Sequence, residues 1–165
     1  MRRHLYRFLI LLASGAALAG CATPVFKDAP PSATTPAAIA DQPERYHDAD
    51  VVWGGKILGA HNLADNTEIE VVAYPLDGAQ RPDQNAPTQG RFIIELSGYA
   101  EPLDYPPGRF LTLRGRIAGT RVSVIDERDY VYPLVANATV HLWPVNFPYE
   151  GPRVSFGLGV GVGIH

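Results

Sequence analysis

The chain predicts an all-β fold: a small, strongly coiled barrel of OB type, built from about six to seven short strands. Three observations carry this. Apolar and polar residues alternate with a period of two in short runs from Val51 to Trp143, the pattern of strands with one buried face. Fifteen prolines and sixteen glycines in 165 residues, with eight tyrosines and frequent valine, favour short strands and tight turns over helices. Glycines also fall inside or beside strands, at Gly54, Gly55, Gly108 and Gly115, where a strand bends or another backbone comes close. Bends of this kind suit a coiled barrel better than the competing two-sheet sandwich.

Each element has its own signal. Thr35-Pro36 reads as an N-cap followed by proline at the first helical position, opening a short helix through Ala37, Ala38, Ile39 and Ala40 that Pro43 ends. Such a segment would suit the open end of a barrel. Val51 to Leu58 is an apolar strand interrupted by Gly54-Gly55. Thr67 to Tyr74 sets Ile69, Val71 and Ala73 against Glu68 and Glu70, and Pro75 stops it. Arg91 to Leu96 sets Phe92, Ile94 and Leu96 against Arg91 and Glu95. Phe110 to Ile117 sets Leu111, Leu113 and Ile117 against Thr112, Arg114 and Arg116. Arg121 to Ile125 and Tyr130 to Val135 flank a hairpin tip at Asp126-Glu127-Arg128-Asp129, and Thr139 to Trp143 is the last strand. The predicted core is Ile69, Val71, Phe92, Ile94, Leu111, Leu113 and Ile117.

The N-terminus is an export signal. Arg2, Arg3 and Arg7 form a positive region, Phe8 to Leu18 an apolar one, and Leu18-Ala19-Gly20-Cys21 follows. The apolar run is too short for a spanning helix, which needs about 20 residues. A buried core helix fits the flanking arginines and small residues less well, and no basic partner lies near Cys21 to make it a reactive thiol. The stretch resembles a bacterial lipoprotein signal, which implies that Cys21 carries the lipid and becomes the first mature residue. Ala22 in place of Asp implies transfer to the outer membrane. The predicted organisation is a signal peptide over residues 1–20, then the acylated Cys21 with a Pro-rich tether and short helix over 21–45. A β-domain over 46–144 and a Pro/Gly-rich tail over 145–165 complete it. As an extended tether, residues 22–35 reach about 40 Å at 3.1 Å per residue.

Without the leader, eleven basic residues face seventeen acidic ones, a formal charge of −6. That balance argues against nucleic acid and against anionic membrane surfaces as partners. The mature histidines, His47, His61, His141 and His165, have no metal-ligand spacing. No metal or other cofactor is expected. Ser97, Ser123 and Ser155 lie in no nucleophile-elbow pattern, so no catalytic residue can be named. Asp126, Glu127 and Asp129 read as a solvated tip rather than a calcium site. Among the aromatics Trp53, Tyr130, Tyr132 and Trp143 are the candidates for a binding surface, able to stack on sugar rings, although aromatic residues also serve as core packing. Arg91, Arg109, Arg114 and Arg116 suggest either a basic stripe or cross-strand pairing with Glu68, Glu70 and Glu95. The apolar–glycine alternation from Phe156 to Ile164 fits an edge strand, a segment meeting membrane or a partner sheet, or a loose tail.

Taken in order, Val52-Trp53-Gly54-Gly55-Lys56-Ile57, Thr67 to Leu76, Gly90-Arg91-Phe92, Pro107 to Gly115, Tyr130, Tyr132-Pro133 and Leu142-Trp143-Pro144 resemble the Slp family of outer-membrane lipoproteins, the starvation-inducible type. The resemblance spans about residues 46–144. It implies a lipid-anchored outer-membrane protein on the periplasmic face, tied to starvation or stress. It brings no catalytic residues. The expected function is a non-catalytic binding or structural module for an envelope protein or glycan. The alternative is a periplasmic hydrolase acting on an envelope component.

Overall fold

The computed structural model describes residues 23–125 and 127–147. Cys21, Asp126 and the glycine-alternating tail lie outside them.

A short helix and five strands make up the domain. Helix α1 (Pro36–Asp41) is capped by Thr35, whose hydroxyl accepts a hydrogen bond from the Ala38 N–H at 3.2 Å. Its Ile39 is fully buried among the barrel's core side chains, and the Ala37 N–H is held by the Gln89 carbonyl at 3.1 Å. The expected helix therefore forms and plugs the barrel. A 3₁₀ turn (Pro43–Tyr46) leads into β1 (Asp50–Asn62). Strands β2 (Asn66–Tyr74), β3 (Arg91–Ser97), β4 (Phe110–Ile125) and β5 (Arg128–Leu142) follow, with a 3₁₀ turn (Pro102–Asp104) before β4.

The strands close in the order β1-β2-β3-β5-β4 and back to β1. All pairs are antiparallel except β3 with β5. That parallel seam is short, Ile93 opposite Leu134 and Ile94 opposite Val135. A five-stranded barrel in this order is the OB architecture. All seven predicted core residues are no more than 1 % exposed. Alternation therefore assigned the inward faces of β2, β3 and the first half of β4.

Strand number is corrected from six or seven to five. Phe110–Ile117 and Arg121–Ile125 are one continuous strand, and so are Tyr130–Val135 and the segment to Leu142. Register shifts between Arg114 and Arg116 and between Ile117 and Gly119 interrupt the alternation without breaking the ladder. A bulge inserts one residue and flips the faces beyond it, so a continuous strand reads as two.

Residues 22–35 are corrected as well. From Phe26 onward this segment is bonded to the barrel instead of trailing free. Gln80 is 1 % exposed and holds it at three points. Its Oε1 accepts the Phe26 N–H at 2.7 Å, and its Nε2 donates to the carbonyls of Ala29 at 2.6 Å and Phe26 at 3.1 Å. Further on, Ser32 exchanges two hydrogen bonds with the Val52 backbone, N–H to carbonyl at 3.1 Å and hydroxyl from N–H at 2.8 Å. The docked segment is continuous with the helix that plugs the barrel.

Candidate functional site

The four aromatics singled out in the sequence do not form one surface. Trp53 is 3 % exposed. Its ring packs against Phe92 at 5.2 Å between centroids, and its Nε1 donates to the Thr34 carbonyl at 2.8 Å. As a contact residue it is corrected to a core residue, since a ring enclosed on both faces has nothing to offer a ligand.

Tyr130 and Tyr132 come together on the outer wall formed by β2, β3 and β5, ring centroids 4.8 Å apart. Tyr132 is buried, and its hydroxyl donates to Glu70 Oε1 at 2.8 Å. Arg91 donates to the same oxygen at 2.9 Å. Burial first, then the hydrogen bond to the Glu70 carboxylate and its charge, push the Tyr132 phenol up to about 12. Burial works against the Arg91 guanidinium, but its bond to Glu70 and the contact with Tyr132 outweigh that and raise its pKa. Tyr130 is half-buried and accepts the Arg91 backbone N–H at 2.8 Å. Beside these, Glu68 and Glu95 face each other across β2 and β3, a like-charge pair that costs stability when unrelieved. Arg121 relieves it with a two-pronged bond to Glu68 and an ion pair to Glu95 at 3.6 Å. The carboxylates of this wall are thus neutralised by Arg91 of β3 and Arg121 of β4.

Above that wall the β4–β5 hairpin projects, and an open groove of about 480 Å³ lies between them, lined by Arg91, Ile125, Arg128, Asp129 and Tyr130. Arg128 and Asp129 are exposed at its mouth. The hairpin turns in two residues, with Ile125 opposite Arg128 and Glu127 at φ +64°. The groove combines an aromatic ring, an apolar side chain and both signs of charge.

Trp143 belongs elsewhere. It follows β5, donates from Nε1 to Thr112 Oγ1 at 2.9 Å and stacks on Phe147 at 5.1 Å. Phe147 in turn meets Phe110 at 5.2 Å, and His141 meets Trp143 edge-on at 4.6 Å. Thr112 passes its own hydroxyl hydrogen to the Gln80 carbonyl at 2.7 Å, so this aromatic cluster connects directly to the clamp on the N-terminal segment. Gln80 went unnoticed in the sequence. Its only local signal is the Asp77-Gly78 turn, in which Asp77 Oδ1 accepts the N–H groups of Ala79 and Arg81 and Gln80 takes φ +63°. Partial burial opposes the Asp77 carboxylate, but its bonds to Arg81 and Ala79 prevail and lower its pKa.

The basic stripe does not form either. Arg91 pairs with Glu70, Arg116 reaches Asp50 at 3.5 Å, and Arg109 donates to the Trp143 and Asp104 carbonyls. Arg114 is exposed and lines the groove under the docked N-terminal segment with Asp50 and Ser32. Among the described residues no three His, Cys, Asp or Glu side chains converge to hold a metal ion.

Known proteins agree with the family resemblance. The model of the outer membrane lipoprotein Slp family matches residues 18–157, so its match begins at Leu18 and takes in Cys21. An uncharacterized protein of Haemophilus influenzae is 33 % identical over 115 residues, 69 % of this chain and 62 % of that one. Outer membrane protein Slp of Escherichia coli is 29 % identical over 133 residues, covering 73 % and 70 %. The uncharacterized lipoprotein YeaY of Escherichia coli is 26 % identical over 105 residues, covering 64 % and 54 %. The alignments thus span less than two thirds of the length of the first and third relatives. Among solved structures, Schizosaccharomyces pombe Pot1pC bound to single-stranded DNA overlaps 62 % of this chain and 84 % of its own at 10 % identity and a TM-score of 0.33, too loose a likeness to transfer fold or ligand. On the extent of the family match, this chain belongs to the Slp family of outer-membrane lipoproteins and is a lipid-anchored protein of the outer membrane.

Proposed function

We propose that this protein is a non-catalytic binding module of the envelope, anchored through Cys21, that holds a glycan in the groove beside Tyr130. The observation that carries the reading is the chemistry of that groove. A half-buried tyrosine ring is fixed in place by the Arg91 N–H, while Arg128 and Asp129 stand exposed at the mouth. A ring for stacking flanked by hydrogen-bonding groups of both signs suits a sugar chain carrying hydroxyls and acidic substituents. The nearby carboxylates Glu68, Glu70 and Glu95 are engaged by arginines, which suits a rigid binding wall better than acid–base chemistry. Arg128 and Asp129 replace Trp53, Tyr132 and Trp143 as contacts, and Tyr132 holds the wall behind Tyr130. The tie to starvation or stress, and the periplasmic orientation, rest on the family resemblance.

The test is cosedimentation of the full-length protein in detergent with purified peptidoglycan sacculi, scored beside release of soluble fragments. Wild-type protein should sediment, and Tyr130→Ala and Arg128→Ala should each weaken binding up to about tenfold, as expected for one stacking or charged contact. Unchanged binding in both variants removes the groove from the reading. Fragment release abolished by one substitution at a Ser, His, Asp or Glu replaces it with the hydrolase.

A further inference from the structure

We propose that the face around Phe26, Trp143, Val145 and Phe147 lies on the phospholipid surface of the membrane, so that the barrel is docked on the bilayer in a fixed orientation. This rests on Cys21 being the acylated residue. Phe26 is bonded to the barrel through Gln80, and only five peptide steps separate it from Cys21. Five residues span about 18 Å at most. Part of that is used in crossing the headgroup layer, roughly 5–8 Å deep on each side. Phe26 therefore sits within about 13 Å of the lipid surface. A domain of some hundred residues is about 30 Å across, so the leash is shorter than the domain it holds, and one face must meet the bilayer.

Hydrogen bonds name that face. Gln80 Oε1 accepts the Phe26 N–H, the Gln80 carbonyl accepts the Thr112 hydroxyl hydrogen, and Thr112 Oγ1 in turn accepts the Trp143 indole N–H, each link between 2.7 and 2.9 Å. Three consecutive bonds thus fix the Trp143–Phe147 turn beside the root of the leash. The turn presents Val145 with 87 % of its surface exposed, and Pro144 is exposed next to it. Tryptophan and phenylalanine beside an exposed aliphatic side chain is the composition found at the level of lipid headgroups. The β4–β5 hairpin lies at the opposite end of the ribbon. From Thr112 to Val124 is twelve residues, up to about 40 Å along the strand.

The test uses full-length acylated protein in vesicles of phosphatidylethanolamine and phosphatidylglycerol. Cys21 is the only cysteine and is blocked by acylation, so Val145→Cys and Val124→Cys each supply a single thiol for a nitroxide label. Position 145 should collide with membrane-dissolved oxygen more than with an aqueous nickel chelate, and position 124 should show the reverse. Vesicle-bound protein in which position 145 is as open to the chelate as position 124 overturns the docking and leaves the anchor standing. Shielding of position 145 from both reagents means that the chain's own residues 148–165 cover the turn, which also overturns it. Protein that fails to float with the vesicles overturns the anchor at Cys21 and the docking together.

Discussion

Gly55 is the residue at which backbone geometry leaves least choice. A Cβ there would run into the Val72 carbonyl oxygen and come within 2.8 Å of the Val71 side chain, and one on Gly54 would lie 2.9 Å from the Leu111 carbonyl. Strands β2 and β4 flank this point on both sides, so neither can move away. Gly55→Val is expected to destabilise by about 1–3 kcal/mol or more, as overpacked cores do, although valine is the better strand former. Chemical denaturation checks this, and a raised midpoint for both Gly54→Val and Gly55→Val would leave the pair without its reason. That constraint was legible, because a glycine inside an apolar strand marks a bend or a close backbone approach. Trp53 was misjudged although it stands in phase with the buried Val51 and Ile57: the apolar run on both faces of β1 hid the alternation, and the indole bond to Thr34 leaves no trace in it. Tyr132 offers a second measurement. Its phenol is favoured neutral, raised from 10.0 to about 12 by burial and Glu70. Because the folded value lies above the unfolded one, this stabilisation is complete below about pH 10 and lost as pH rises toward 12. A difference titration of tyrosinate absorbance between wild type and Tyr132→Phe should show a late-titrating phenol, and Glu70→Gln should bring it down. A phenol titrating near 10 in the wild type contradicts the contact with Glu70.

At the scale of elements, the barrel strands and the N-terminal segment differ in how far sequence reveals them. Alternation marked the inward faces of β2, β3 and early β4 because burial on one face leaves a direct compositional trace. It split β4 and β5 because bulges change parity while the ladder runs on. Docking of residues 26–32 left no trace, since most of its bonds run from backbone groups to Gln80 and Ser32, and Pro, Ala and Thr read the same in a linker. Two variants separate these cases. Leu111→Ala removes a fully buried side chain and should cost about 2–5 kcal/mol, whereas Arg114→Ala on the exposed face should cost within about 0.5 kcal/mol. Equal losses would mean the faces of β4 are misassigned. Gln80→Ala removes the clamp and leaves Ser32 as the first residue held to the barrel. Amide exchange at Phe26 and Ala29 should then accelerate while exchange in β1 to β3 stays slow. Unchanged protection at Phe26 would show that something besides Gln80 holds the segment.

For the whole molecule, closure of the barrel, the position of its N-terminal plug and the anchor proposed at Cys21 would form one mechanical system. A barrel has no open sheet edge for other chains to pair with, so contact with the envelope falls to loops, the docked segment and the outer wall. The Trp143–Phe147 turn and the Tyr130 groove stand at opposite ends of the β4–β5 ribbon, since Leu111 pairs with Leu142 and Ser123 with Tyr130. The proposed bilayer docking at one end would present the groove at the other, away from the lipid. Acylation supplies the hold on the membrane in that arrangement; no helix among the described residues is long and apolar enough to cross one. A diacylated and N-acylated cysteine holds firmly, at about 0.8 kcal/mol for each buried methylene, where a single chain is marginal. Cys21→Ser should therefore abolish incorporation of labelled palmitate and leave the protein as uncleaved precursor or as unanchored material. The barrel itself, which Cys21 does not touch through any described contact, should keep its thermal midpoint. A Ser variant that still takes up palmitate and still fractionates with outer membrane would move the anchor away from Cys21, and with it the five-residue leash that sets the barrel against the lipid.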